Sequence, residues 1–179
     1  MDHKDHVNLL RPANFTQENA SWADLGAGSG AFTVALRELI GPTANIYAVD
    51  KDRASLNQLQ RDHQIRFEDS NNLHLVVGDF SRALSLPPLD GILMANSLHF
   101  FKDKVKVLEH VKSFLKPKGT LILVEYNVDK GNLWVPYPFT FSTFGKLAKQ
   151  SGFAEPRQLA TAPSSFLHGF YSTITNKID

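Results

Sequence analysis

Cysteine is absent from the 179 residues, which excludes a disulfide scaffold, cysteine-ligated zinc, an iron–sulfur cluster and a thiol nucleophile. A surplus of either charge is missing too. Nineteen basic against 18 acidic side chains leave +1, without the basic excess of a dedicated nucleic-acid or anionic-membrane binder. No run approaches the ~20 apolar residues of a membrane span, and the opening residues MDHKDH lack the apolar core of a secretion signal. The histidines at 3, 6, 63, 74, 110 and 168 form no ligand spacing, so no metal site is expected. Repeats and low-complexity segments are also lacking. The expectation is one soluble, cytoplasmic domain over residues 1–179, with neither membrane nor nucleic acid as partner. At this length such a domain buries roughly 70% of its unfolded surface without staples.

What is present is an alternation of short apolar runs with amphipathic stretches. Apolar runs at Trp22–Leu25, Ile46–Val49, Leu73–Val77, Leu89–Ala95 and Thr120–Tyr126 read as strands. Between them, residues 31–40 carry Phe32, Ala35, Leu36 and Leu39 at helical spacing and stop at Gly41-Pro42. Residues 52–62 read as a polar helix with Ala54, Leu56 and Leu59 inward. Residues 103–115 place Val105, Leu108, Val111 and Leu115 on one face, and the Lys-Pro-Lys-Gly at 116–119 breaks that helix. Strands alternating with helices in this way predict a parallel sheet covered on both faces. Beyond residue 126 the sequence predicts a short helix over 143–151 and two β stretches, about 157–161 and 166–175.

The densest local signal is Asp-Leu-Gly-Ala-Gly-Ser-Gly at 24–30, between a predicted strand and a predicted helix. Glycines there allow a tight turn and close approach of a ligand to the main chain. Gly26, Gly28 and Ala31 also satisfy a dinucleotide fingerprint, and Asp50 lies where an NAD ribose acceptor would stand. The loop alone therefore fits either cofactor. The acids discriminate. Asp24, Asp50 and Asp79 fall at the ends of the first three strands, which in an open α/β sheet share one crevice. Asp24 beside the loop would repel a pyrophosphate. The ammonium, sulfonium, ribose diol and adenine amino group of S-adenosylmethionine each match an acceptor.

The segments Trp-Ala-Asp-Leu-Gly-Ala-Gly-Ser-Gly (22–30), Ile-Tyr-Ala-Val-Asp-Lys (46–51), Val-Val-Gly-Asp-Phe (76–80), the run 90–100 and Phe-Leu-Lys-Pro-Lys-Gly-Thr-Leu-Ile-Leu-Val-Glu (114–125) resemble, in order and spacing, the motifs of class I S-adenosylmethionine-dependent methyltransferases. The likeness is to the small-molecule group that includes ubiquinone- and menaquinone-biosynthesis enzymes. It implies a Rossmann-like, doubly wound seven-stranded sheet of order 3-2-1-4-5-7-6, with strand 7 antiparallel and helices on both faces. It further implies S-adenosyl-L-methionine as cofactor and S-adenosyl-L-homocysteine as product. Gly26, Gly28 and Gly30, with Ala27, would bed the methionine part, and Asp24 would take its amino group. Asp50, with Lys51 beside it, would hold the ribose, and Asp79 with Phe80 the adenine. Asn96 and Ser97 would line the transfer end.

Transfer to a small-molecule acceptor at oxygen, nitrogen or carbon requires in-line positioning, and a base only where the acceptor must lose a proton. His99, after the fourth strand, is the candidate base; as a structural residue it would instead bond the loop backbone. Glu125 and Tyr126 are secondary candidates. The aromatic stretch 134–144 reads either as acceptor wall or as core. Residues 1–20 form an N-terminal segment or lid, 21–126 the cofactor-binding core, and 127–179 the substrate side with the C-terminal β pair. So short a chain predicts an open acceptor site, completed by a second subunit in a homodimer or by a mobile segment around Leu9–Phe15. The rival readings are an NAD(P)-binding module and a non-catalytic cofactor-binding member of the fold.

Overall fold

The computed structural model describes residues 1–15, 17–67 and 71–178. Its centre is a seven-stranded sheet in the order β3-β2-β1-β4-β5-β7-β6. Five strands run parallel: β1 (Ser21–Leu25), β2 (Asn45–Asp50), β3 (Leu73–Val77), β4 (Leu89–Ala95) and β5 (Leu115–Tyr126). β7 (Gly169–Asn176) lies antiparallel to both β5 and β6 (Arg157–Pro163). The order and the reversed last strand are those the resemblance implied.

Strand side chains alternate between faces, so each central strand feeds two cores. Leu25, Ile92, Met94, Leu121, Leu123 and Tyr171 point into one, covered by α4 (Lys104–Lys112) and α5 (Phe141–Gln150). Trp22, Leu93, Ala95, Ile122, Val124 and Phe170 point into the other, covered by α1 (His3–Leu10) and α2 (Ala31–Ile40). The fifth helix, α3 (Arg53–Phe67), packs Leu56 and Leu59 on Ala48.

Three elements differ from their sequence reading. Along α3, Ala54 is exposed, and Leu56, Leu59 and His63 face inward; the helix also runs on to Phe67. In α4 the inward face is Lys104, Val107, Leu108 and Val111, while Val105 is half-buried. An apolar-only count misses that face because a lysine occupies one of its slots. Leu115 belongs to β5, and residues 116–119 form the bulged start of that strand, where the register shifts between the Leu89–Leu115 and Gly91–Thr120 pairs.

The N-terminal segment folds as a helix started by a reciprocal Asp2–Asp5 capping box. Val7, Leu9 and Leu10 are buried, and Ser172 Oγ donates to the Leu9 carbonyl at 2.6 Å. Phe15 meets the Trp22 ring edge-on at 5.2 Å, and Gln17 Nε2 donates to Asp90 at 3.0 Å. Trp22 and Asp90 open β1 and β4, so this segment lies along the N-terminal ends of the strands. The segment Leu9–Phe15 does not cover the crevice; burial of Leu9 and Leu10 and the packing of half-buried Phe15 on Trp22 place it at the opposite end of the sheet.

Gly91 of β4 pairs with Trp22 of β1, and a Cβ at Gly91 would collide with the indole ring. Gly91→Ala should cost about 1–3 kcal/mol through overpacking. Urea unfolding measures this, and an unchanged midpoint would show that the indole can move aside.

Candidate functional site

Strands are added outward from the β1–β4 pair in opposite directions, so their connections diverge there and leave a crevice at the C-terminal strand ends. A cavity of about 330 Å³ occupies that place. It is lined by Gly26 after β1, by Asp50 and Lys51 after β2, and by Gly78, Asp79 and Phe80 after β3. Asn96, Ser97, Phe100 and Phe101 after β4 close the other side. Its volume is at the lower end of the range for small-molecule sites.

The glycine loop is pinned from within. Gly26 and Ala27 N–H both donate to the Val49 carbonyl, at 2.8 and 3.0 Å, and Gly30 N–H donates to Ala27 O. Gly28 N–H donates to Asp50 Oδ2 at 2.8 Å. Gly26 and Gly30 have φ of +85° and +90°, which other residues adopt only with strain. A Cβ on Gly26 would lie 2.6 Å from Ser97 Cβ and narrow the crevice. Ala27, Gly28 and Gly30 shape the loop without lining the cavity.

Asp50 therefore has two tasks. One oxygen holds Gly28, the other accepts the Asp52 N–H at 2.9 Å, and the carboxylate still borders the cavity. Asp79 Oδ1 accepts from the Ser81 hydroxyl at 2.6 Å and from the Ser81 N–H at 2.9 Å. The Ser81 hydroxyl bond is the main cause that holds its carboxyl below the usual range, keeping it anionic. Phe80 and Phe101 meet edge-to-face at 5.3 Å, one from each side of the opening. Asn96 sits in the left-handed region at φ 52°. Among the described residues, Asn96 Oδ1 and Ser97 Oγ are buried without a partner. Both residues line the crevice, and unpaired buried polar atoms there are those a ligand would satisfy.

Asp24 lies beneath the loop rather than on the cavity wall. It is buried, and Thr33 Oγ1 of α2 donates to it at 2.6 Å. His99 and Glu125 form a second buried unit. Glu125 accepts the N–H groups of Leu98 and His99 at 3.0 and 3.1 Å, and its other oxygen meets His99 Nδ1 at 2.7 Å. His99 is 2% exposed and does not line the cavity. The geometry matches the structural alternative for His99: the ring fastens the turn after β4 to the end of β5. Tyr126 also lies off the cavity, half-buried, its ring 6.2 Å from His99 and 4.3 Å from Phe170. Burial and the nearby Glu125 raise its phenol pKa, so it remains a neutral donor at physiological pH.

The aromatic stretch divides. Val135, Phe139 and Phe144 are core, while Leu133, Trp134 and Tyr137 are exposed beside the turn after β4, which accepts the Tyr137 N–H through the His99 carbonyl at 3.0 Å. Sequence reasoning missed Gly78, Phe100 and Phe101 as lining residues and Thr33 as the partner of Asp24. An aromatic pair following an apolar strand reads as core, and only the turn directs Phe100 outward, 58% exposed.

Desolvation lifts the Asp24 carboxyl to about 7; the Thr33 bond opposes the rise and Asp50 adds to it. A pKa raised above its unfolded value of 3.8 means stability that is complete below that value and is lost as pH climbs toward 7. Asp24→Asn keeps an acceptor for Thr33 and cannot ionise. Above pH 7 it should be more stable than the wild type by a few kcal/mol, since each tenfold change in proton affinity is worth about 1.4 kcal/mol. At pH 4 the difference should vanish. Thermal unfolding at both pH values tests this, and parallel stability curves would refute it.

Residues 23–121 match the family described as a methyltransferase domain. A demethylmenaquinone methyltransferase of Staphylococcus aureus is 28% identical over 137 residues, 72% of this chain and 54% of that protein. A ubiquinone/menaquinone biosynthesis C-methyltransferase of Hahella chejuensis is 27% identical over 110 residues, 60% of this chain and 43% of that protein. The chain thus spans about half the length of these relatives. A SAM-dependent methyltransferase from Aquifex aeolicus superposes with a TM-score of 0.71 at 18% identity, covering 99% of this chain and 100% of that one. Across more than half of its length and in its strand order, the chain belongs to the methyltransferase-domain family, with the class I fold.

Proposed function

We propose that the protein transfers a methyl group from S-adenosylmethionine to a small organic acceptor. The observation that carries this reading is the crevice: it pairs two carboxylates, Asp50 and Asp79, with the unpartnered Asn96 Oδ1 and Ser97 Oγ. These groups suit a ligand rich in hydroxyl, amino and cationic groups. They suit a pyrophosphate poorly. The N–H groups of Gly26, Ala27, Gly28 and Gly30 are all engaged within the protein, one of them by the Asp50 carboxylate, so they form no free anion cradle. That observation weighs against the NAD(P)-binding reading.

When bound, the cofactor supplies a methyl group already activated by its sulfonium. The protein's own residues then bind and orient. Asp50 holds the ribose hydroxyls while keeping the glycine loop in register. The Phe80–Phe101 pair offers the adenine an apolar face, with Asp79 at its edge. Asp24 ties the end of β1 to α2 by accepting the Thr33 hydroxyl beneath the glycine loop. Glu125, through His99 and Leu98, fixes the turn bearing Asn96, Ser97 and Phe100, the wall nearest the acceptor. The acceptor approaches over the exposed rings of Phe100, Trp134 and Tyr137. We place the protein in the cytoplasm as a soluble enzyme; no helix among the described residues is long and apolar enough to cross a membrane. A homodimer completing this open side is part of the same proposal.

A thermal-shift panel tests the cofactor. At 100 times its Kd, S-adenosylhomocysteine should add ~2.7 kcal/mol of stability, several degrees for a domain of this size. NADH should add nothing; the opposite pattern would end the proposal. His99→Ala separates wall from base. A wall role predicts a lower melting temperature and weaker S-adenosylhomocysteine binding, because Glu125 loses a buried partner at a cost of about 1–3 kcal/mol. Unaltered binding in that variant would return His99 to candidacy as a base.

A further inference from the structure

We propose that Lys104 is a positioning residue that couples the cofactor crevice to the segment 131–139. It rests on the cofactor reading above and adds a connection between that site and the acceptor side.

Lys104 is the first residue of α4, and only 8% of it is exposed. Two local preferences oppose a lysine here. A cation at a helix N-terminus faces the positive end of the dipole. A buried ammonium also pays desolvation, and a methionine would fill the same space without either cost. What the lysine has in return is a set of contacts that an apolar side chain cannot make. Nζ donates to the Phe101 carbonyl at 2.9 Å, and it stands 5.7 Å from the Tyr137 ring centroid and 5.1 Å from that of Phe139. Both ring distances are within cation–π range.

These partners lie on two sides of the site. Phe101 lines the crevice and stacks edge-on against Phe80 on the opposite wall. Tyr137 and Phe139 belong to the segment after β5 that carries exposed Leu133 and Trp134. A second link runs in parallel, from the Tyr137 N–H to the His99 carbonyl in the same turn. A ligand that settles against the Phe80–Phe101 pair therefore presses on the residue whose carbonyl Lys104 holds. The ammonium carries any shift of that carbonyl to the Tyr137 ring. In this way occupancy of the crevice sets the order of the acceptor-side segment before an acceptor arrives.

Trp134 reports on that segment: it is 71% exposed, whereas the other tryptophan, Trp22, is 7% exposed in the core. Acrylamide quenching of tryptophan emission therefore reads Trp134. Saturating S-adenosylhomocysteine should reduce quenching in the wild type and in Lys104→Arg, which retains charge and donor. It should reduce quenching clearly less in Lys104→Met, where only the backbone link remains, and in Tyr137→Ala, a change on a partly exposed ring that keeps the experiment decisive if the buried substitution unfolds the protein. Equal responses in wild type, Lys104→Met and Tyr137→Ala would overturn the coupling. Calorimetry on the same samples distinguishes the two ways to fail. Binding of S-adenosylhomocysteine without any change at Trp134 in the wild type overturns the coupling alone, and absence of binding overturns the cofactor reading together with it.

Discussion

Glu125 is a carboxylate with no exposed surface, set where β5 reaches the C-terminal edge of the sheet. Removing an ionised carboxyl from water costs several kcal/mol unless hydrogen bonds replace the lost hydration. Here the Leu98 and His99 amides and the His99 ring supply them. Held through its ring nitrogen and its backbone N–H by one carboxyl group, His99 is fixed in its rotamer. Four of the residues that line the crevice lie within three positions of this clamp. The site's far wall thus depends on a group that never touches it.

The near wall follows the same logic with a different carboxylate. Asp50 closes the glycine loop by accepting the Gly28 N–H, and so consumes an amide that a phosphate-binding loop would leave free. A ligand with hydroxyl donors can share the outer lone pairs of such a carboxylate, whereas an anion is repelled by it. The engaged N–H groups of Gly26, Ala27, Gly28 and Gly30 favour the first kind of ligand, a distinction that the spacing of the glycines does not make.

Beside these walls several rings stay exposed. The sheet face beside α1 and α2 is sealed by Val7, Leu9 and Leu10, which leaves the N-terminal residues away from the crevice. Residues 131–139 and the turn after β4 lie beside the crevice, with the rings of Phe100, Trp134 and Tyr137 turned outward. Lys104 is the group in reach of both, and its place at an inward helix position is the largest departure from the sequence pattern.

The sequence by itself determined the succession of strands and helices, the glycine loop and the carboxylates at the strand ends, because period-two and period-3.6 patterning and turn residues are local properties. It could not assign the inward face of α4, since a lysine in a buried slot reads as solvated until its carbonyl and ring partners are known. Nor could it decide whether Asp24 and His99 face the ligand. Both follow a strand's apolar run, as Asp50 and Asn96 do, and whether such a residue ends up on the cavity or beneath it depends on a single partner from another segment: Thr33 for Asp24, Glu125 for His99. The tertiary structure decided those pairings, since a buried polar group is stable only where the fold brings its partner within hydrogen-bond distance.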